Sequence, residues 1–372
     1  MPFDSTPTLF AHRLGELFAK TSAQHDENDT FVDANYDVMK QEKLFSAMVP
    51  AQLGGAGVSY NEMCTFLRTL AGYCPSTALA LSMHQHLVGT ARKNFEDGKG
   101  PAGLLEKVLD TEIVLVSTGA GDWLDSNGSA EKVEGGYRVN AFKPFSSGSP
   151  RGAIAITSCA FDCPDDGPSV IHFPLALSTE GVVPQNDWEA MGMRGTGSQT
   201  LKYDNVFVPD EAVKLKRPRG PYHGAFSTIV AVAMPLIMSV YVGIAERAVE
   251  IAIEKAKPRA DDPLVQLLNG ELQNKLVSAR VALDSMMAIT DDLSFVPTEQ
   301  LASAILARKT ICADAVLETV EKAMELAGGS GFLRKNGLER LLRDAHGGQF
   351  HPLPAKRQQL FTGRVAFEMS PV

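Results

Sequence analysis

From Trp188 to Glu211 the chain reads WEAMGMRGTGSQTLKYDNVFVPDE. Its first half sets Gly192, Gly195 and Gly197 among small hydroxyl residues, a loop able to bring backbone N–H groups close to an anion or a cofactor edge. Its second half, LKYDNVFVP, is a β-branched run that reads as a strand. Further runs of this kind precede it: IVLVS, GGYRVNAF, GAIAITSCAF, SVIHFPLAL and GVVPQ, set off by Gly, Pro, Asp and Asn. Such spacing predicts a compact antiparallel β domain of about one hundred residues. The stretch KLKRPRGPYHG, basic and rich in Pro and Gly, reads as a linker near residue 217.

On either side the period is helical. Leu9, Leu14, Leu17 and Phe18 fall at helix spacing, as do Met63, Phe66, Leu67 and Leu70. Between them VPAQLGGAGVS breaks the pattern, with Ser59 and Glu62 placed as an N-cap pair. Cys74 to Phe95, poor in charge, reads as a buried helix. After the linker come patterns from Phe226 to Lys257 and from Pro263 to Leu293. A third places Ile305, Cys312, Val316 and Val320 on one face and Glu318, Glu321 and Glu325 on the other, ending at Gly328-Gly329. The expected organisation is an α+β chain: helices over 1–112, a β domain over 113–217 and a helical bundle over 218–372.

With 372 residues, 44% apolar and 21% charged, the chain is globular. A net charge of −9 argues against nucleic acid as a partner. Five cysteines without a C-x-x-C pair read as free thiols of a reducing compartment, so a cytoplasmic protein is expected. The apolar run Ile229 to Val242 is interrupted by Pro235, Ser239 and Tyr241, and no membrane span is expected. There is no G-x-x-x-x-G-K-[ST], H-E-x-x-H or G-x-S-x-G motif, and no G-x-G-x-x-G that enters a helix after a strand. In MHQH, His84 and His86 are two apart and diverge on a helix, so they read as a polar cavity lining and no metal is expected. Tyr222 is a third candidate for that substrate pocket.

Four segments stand in a fixed order: VPAQLGGAGVSYNEM, FKPFSSGS, WEAMGMRGTGSQTLKYDNVFVPDE, and MELAGGSGF followed by LERLLRDAHGGQFHP. Together, on a helical, β, helical frame, they resemble the acyl-CoA dehydrogenase superfamily from about Leu44 to Phe367. The resemblance implies an N-terminal helical domain, a middle β domain and a C-terminal four-helix bundle, with flavin between the last two. It also implies a homodimer or homotetramer. In FKPFSSGS, Phe145, Ser146 and Ser147 would meet the flavin, as would Trp188, Thr196, Gly197 and Ser198. Gly328 and Gly329 would hold the adenine half of FAD bound to a neighbouring subunit. Glu339, Arg340, Arg343 and Asp344 read as i,i+3 and i,i+4 ion pairs.

The reaction turns on the last segment. Dehydrogenases of this superfamily need a carboxylate to remove an α-proton, most of them carrying a Glu nine residues beyond the motif's arginine. Counting from Arg343, that residue is Pro352, and the alternative place on the first bundle helix is Ala233. His351 instead matches a histidine of the flavin monooxygenase branch, of the dibenzothiophene monooxygenase and p-hydroxyphenylacetate hydroxylase oxygenase type. There it works beside a serine matching Ser147. A histidine with a near-neutral pKa is suited to managing protons on oxygen taken up by reduced flavin. The clamp Arg-x-x-Phe-Gly is replaced by KPRADDPLVQLLNGEL and the Thr-Glu-Pro segment by STGAGDW (Ser117 to Trp123), which fits transient binding of flavin delivered by a reductase. The expected function is thus a flavin-dependent oxidoreductase, leaning to a monooxygenase of a small organic substrate. It would use FAD, or reduced FMN or FAD supplied by a separate reductase. Two other readings stand beside it: an acyl-CoA dehydrogenase with a displaced base such as Glu246, Asp122 or Glu325, passing electrons to a transfer partner, and a flavin-less relative.

Overall fold

A computed structural model describes residues 6–119, 122 and 124–372. The N-terminal region folds as α1 (Pro7–Glu27), α2 (Asp33–Gln41), α3 (Tyr60–Ala71), α4 (Pro75–Glu96) and α5 (Gly103–Thr111). The break before α3 works as its residues dictate: the Ser59 side chain accepts from the Glu62 N–H and the Glu62 carboxylate accepts from the Ser59 N–H.

A single sheet follows: β1 (Val114–Ser117), β2 (Ser129–Val133), β3 (Gly136–Ser146), β4 (Gly152–Cys163), β5 (Gly167–Ala176), β6 (Val182–Pro184), β7 (Gln199–Pro209) and β8 (Leu215–Pro218). Its order is β6-β7-β3-β2-β4-β5-β8, with β1 beside β4. Most pairings are antiparallel, but β1 runs parallel to β4 and β2 meets β4 in parallel at one position. β1 enters directly from α5, so no hairpin sets its direction against β4. β8 occupies the first part of the stretch expected to be a linker. It pairs with β5, and its Arg217 turns inward, 2% exposed, which hides the strand from a hydropathy pattern.

The C-terminal region holds α6 (Ala225–Ala256), α7 (Pro263–Thr290), α8 (Glu299–Ala327), α9 (Leu338–Phe350) and α10 (Ala355–Ala366). α6, α7, α8 and α9 form the bundle and α10 packs on α8. α6 is long and apolar enough to cross a membrane, yet its apolar residues are buried between α3 and α4 on one side and α7, α8 and α9 on the other. It is the central pillar of the large core, and Tyr60 of α3 donates to the Val232 carbonyl at 2.6 Å to fix the crossing. A smaller core lies within the sheet, around Val139, Phe173, Leu201 and Tyr203. All five cysteines are buried and free.

Candidate active site

The two glycine-rich loops of the β domain meet. The Ser147 and Ser198 hydroxyls are 2.7 Å apart, Ser198 is 2.7 Å from the Thr196 hydroxyl, and Thr196 donates to the Met193 carbonyl at 2.8 Å. The Gly148 N–H donates to the Thr196 carbonyl at 2.9 Å, closing the two loops on each other. The chain of bonds continues into the bundle, because the Met193 N–H donates to the Asp344 carboxyl on α9. Burial raises the Asp344 pKa to about 6 against the opposing Met193 N–H and the Arg340 charge.

Beside this chain stands an aromatic pair. Phe145 has φ 58°, a left-handed backbone that a bulky side chain rarely adopts, and its ring is 57% exposed. Trp188 meets it edge to face at 5.9 Å and donates from its indole N–H to the Met193 carbonyl. An open aromatic surface next to a file of hydroxyls and backbone N–H groups fits a planar, hydrogen-bonding ring system such as a flavin.

The second half of the site lies where α9 ends. Positions 340, 344, 347 and 351 share one helical face. His351 follows α9 directly, and its Nε2 is 2.9 Å from the Tyr241 hydroxyl of α6. Gly347 makes that contact sterically possible: a Cβ there would lie 2.7 Å from the tyrosine oxygen. Lys309 of α8, almost wholly buried, reaches the carbonyls of Gln349 and Leu353 on either side of His351, each at 3.4 Å. Burial lowers its pKa to about 8. Desolvation, and then the nearby Lys309 and His86, push the His351 pKa down to about 3. The expectation of a near-neutral histidine is therefore corrected: in this setting His351 is uncharged throughout the physiological range.

The remaining candidates divide. His84 serves the core, its Nε2 donating to the Phe45 carbonyl at 2.8 Å and its Nδ1 accepting from the Leu115 N–H at 2.9 Å, so it lines no cavity. His86 lies near enough to His351 to affect it, and its buried Nδ1 has no hydrogen-bond partner among the described residues. Ser146 is fully buried and donates back to the Lys143 carbonyl, turned away from any cleft. Gly197, at φ 54°, has Phe31 and Pro150 where a side chain would be, so its smallness serves the packing of the N-terminal region. Tyr222 bonds Ser227 at 3.0 Å and packs at a tilt on Phe226 and edge to face on Phe361, and none of these contacts reaches His351 or Ser147. Gly328 and Gly329 are exposed at the far end of α8, ~28 Å along the helix from Lys309. Ala120, Gly121 and Trp123 of the STGAGDW stretch lie outside the described residues.

The charged motif on α9 also departs from expectation. Arg343 pairs with Glu339, but its stronger bidentate contact is to Asp26 of α1. Asp344 accepts from the Met193 N–H, and Arg340 keeps its Nε and Nη1 buried without a hydrogen-bond partner among the described residues. The three carboxylates considered as displaced bases are all committed. Glu246 is held by Arg68 and Arg280; burial works to raise its pKa, but these two arginines outweigh it and hold the group below its usual value. Asp122 is paired with Lys143 inside the sheet, and Glu325 is a surface partner of Lys322. Tyr241 and Lys309 are the site residues missed by sequence reasoning. In the sequence Tyr241 reads only as an interruption of an apolar run.

The acyl-CoA dehydrogenase N-terminal domain profile matches residues 13–95 and the acyl-CoA dehydrogenase C-terminal domain profile matches residues 236–354. YdbM of Bacillus subtilis, which is named as an acyl-CoA dehydrogenase, is 27% identical over 359 residues, covering 91% of each chain. The oxygenase component of p-hydroxyphenylacetate 3-hydroxylase from Acinetobacter baumannii is 25% identical, covering 88% of this chain and 81% of its own. Among solved structures, KijD3 in complex with FMN and a dTDP-linked amino-keto sugar superposes with a TM-score of 0.87 at 24% identity, covering 98% of this chain and 95% of KijD3.

Proposed function

The chain belongs to the acyl-CoA dehydrogenase superfamily of flavin-dependent oxidoreductases, and from that premise we propose that it is a monooxygenase acting on a small organic substrate with reduced flavin and O₂. One observation carries the reading: where a dehydrogenase of this superfamily has its base, this chain has Pro352 preceded by a His351 that Tyr241 holds in place. A neutral imidazole kept at a fixed position suits hydrogen bonding to oxygen, while α-proton removal needs a base aimed at the substrate.

Reduced flavin, bound between sheet and bundle, supplies the activation of O₂. Phe145 and Trp188 offer it an aromatic wall, and Ser147, backed by Ser198 and Thr196, offers a hydroxyl whose proton can move along the file. His351 would hydrogen-bond through its ring N–H, and Ser147 would hold or pass on a proton, at the oxygen being transferred. The flavin is FMN or FAD delivered by a reductase, and Gly328 and Gly329 take part only when a second copy of the chain presents them, which a homodimer or homotetramer provides.

The test is anaerobic mixing of the protein with reduced FMN or FAD, followed by admission of O₂ in a stopped-flow instrument. A delay before oxidised-flavin absorbance returns, shortened in His351→Ala and Ser147→Ala, is the expected result. Tightly held oxidised FAD that acyl-CoA esters bleach would overturn it in favour of dehydrogenation. Failure to bind any flavin would leave a non-catalytic relative.

A further inference from the structure

The Tyr241 hydroxyl is closed to solvent and has one hydrogen-bond partner among the described residues, Nε2 of His351. A neutral imidazole carries a single proton on one of two nitrogens. Were it on Nε2, it would point at the tyrosine oxygen, and the O–H of Tyr241 would be a buried donor with no acceptor. With the proton on Nδ1, Tyr241 donates to Nε2 and both groups are satisfied. Among the described residues Nδ1 has no hydrogen-bond partner and is not closed to solvent, so it is the open edge of a half-buried ring.

We infer that Tyr241 is a positioning residue that fixes His351 as its Nδ1–H tautomer, so that the loop after α9 presents an N–H donor to an oxygen atom of the bound ligand and offers it no basic lone pair. The surroundings hold this arrangement. Gly347 leaves the tyrosine oxygen its space, and Lys309 ties the backbone on both sides of the histidine. The low pKa of His351 keeps the ring neutral, so the donor is present at every pH at which the fold persists near neutrality. The ligand named here rests on the monooxygenase reading; the tautomer does not.

The experiment uses the ligand-free chain with ¹⁵N-labelled histidine, read by long-range ¹H–¹⁵N correlation at pH 7, with His351 assigned by the signal missing from His351→Gln. The expected wild-type signature is a protonated Nδ1 and a hydrogen-bonded, unprotonated Nε2. In Tyr241→Phe, which keeps the ring and removes one oxygen, the Nε2 hydrogen-bond shift disappears and the population moves toward Nε2–H, the form free imidazoles favour. Gly347→Ala, which crowds the tyrosine oxygen, should act in the same direction. A wild-type His351 protonated on Nε2, or a Tyr241→Phe spectrum identical to wild type, overturns the inference. An Nδ1–H histidine in a protein that binds no reduced flavin would sink the monooxygenase reading alone. Oxygen-dependent turnover with an Nε2–H histidine would sink the tautomer alone.

Discussion

Replacing Lys143 by Met tests how the segment in front of Phe145 is held. The Lys143 ammonium is fully buried and bonds the Asp122 carboxylate at 2.5 Å, the Ser126 hydroxyl at 3.2 Å and the Asn127 carbonyl at 3.3 Å. Asp122, 3% exposed, also accepts from the Asn127 N–H at 3.1 Å and the Ser158 hydroxyl at 3.3 Å. Removing the lysine strands a buried carboxylate, which costs about 3–5 kcal/mol. With an unfolding entropy of about 2.1 cal/mol/K per residue over the whole chain, that lowers Tm by about 4–6 °C. The double variant Asp122→Leu with Lys143→Met leaves no uncompensated charge. It orphans the Asn127 N–H and takes the lysine from the Asn127 carbonyl, while the Ser126 and Ser158 hydroxyls keep each other at 2.9 Å, a cost of about 1–3 kcal/mol, and so should melt above Lys143→Met. Calorimetry of wild type, both single variants and the double closes the cycle. A double variant as unstable as the two singles added, or a Lys143→Met protein melting within a degree of wild type, would refute the reasoning.

Other expectations follow from the same geometry. Glu246→Gln should lower stability by about 1–3 kcal/mol through its two arginines yet leave flavin-dependent turnover within a few-fold; loss of turnover in a folded protein would revive the displaced-base reading. Burial depresses His84 and His86 to about 4, against an unfolded value of about 6.5. The unfolded chain therefore takes up protons first as pH falls, and stability present above 6.5 is lost on the way down to 4. Between pH 7 and 5 each contributes a loss of about 2 kcal/mol, and His86→Leu should remove its share from the slope in urea titrations at the two pH values. Ser198→Ala breaks the hydroxyl file one step behind Ser147 and should weaken reduced-flavin binding by about 1 kcal/mol, roughly five-fold, by equilibrium titration. An unchanged affinity would detach that file from the flavin.

What was legible in the sequence was what local chemistry enforces. Ser59 and Glu62 announce the start of α3 because the members of a capping pair stand only three positions apart, and the β-branched runs announce β3, β4, β5 and β7 because alternate residues meet the core. β2 escaped because its SAEKV is mostly exposed, leaving no buried face to read. β8 escaped because its inward residue is Arg217, which binds His172 and the Leu124 carbonyl where a strand pattern looks for an apolar side chain. At the site, the hydroxyls of Ser147, Thr196 and Ser198 were visible because glycine-rich loops are short and self-contained. The Tyr241–His351 contact was not, since it joins residues 110 positions apart and depends on a missing Cβ at Gly347. His84 and His86 look alike in MHQH, and only their neighbours separate a core bond from an unpartnered nitrogen.

The placing of α6 also shapes how the chain is made. Its residues emerge from the ribosome as a 32-residue apolar segment, and α3 and α4 can cover only one side of it. The opposite side waits for α8, whose last residue, Ala327, follows about seventy positions after Ala256. At ~5–20 residues per second that is roughly 4–14 s during which a helix with the hydropathy of a membrane span is half-covered. Nascent-chain crosslinking should find signal-recognition or trigger-type chaperones on α6 in that interval and released once α8 is out. Substitutions that weaken the α6–α8 seam should therefore show first as lower yield and misrouted chains, ahead of any change in the finished enzyme.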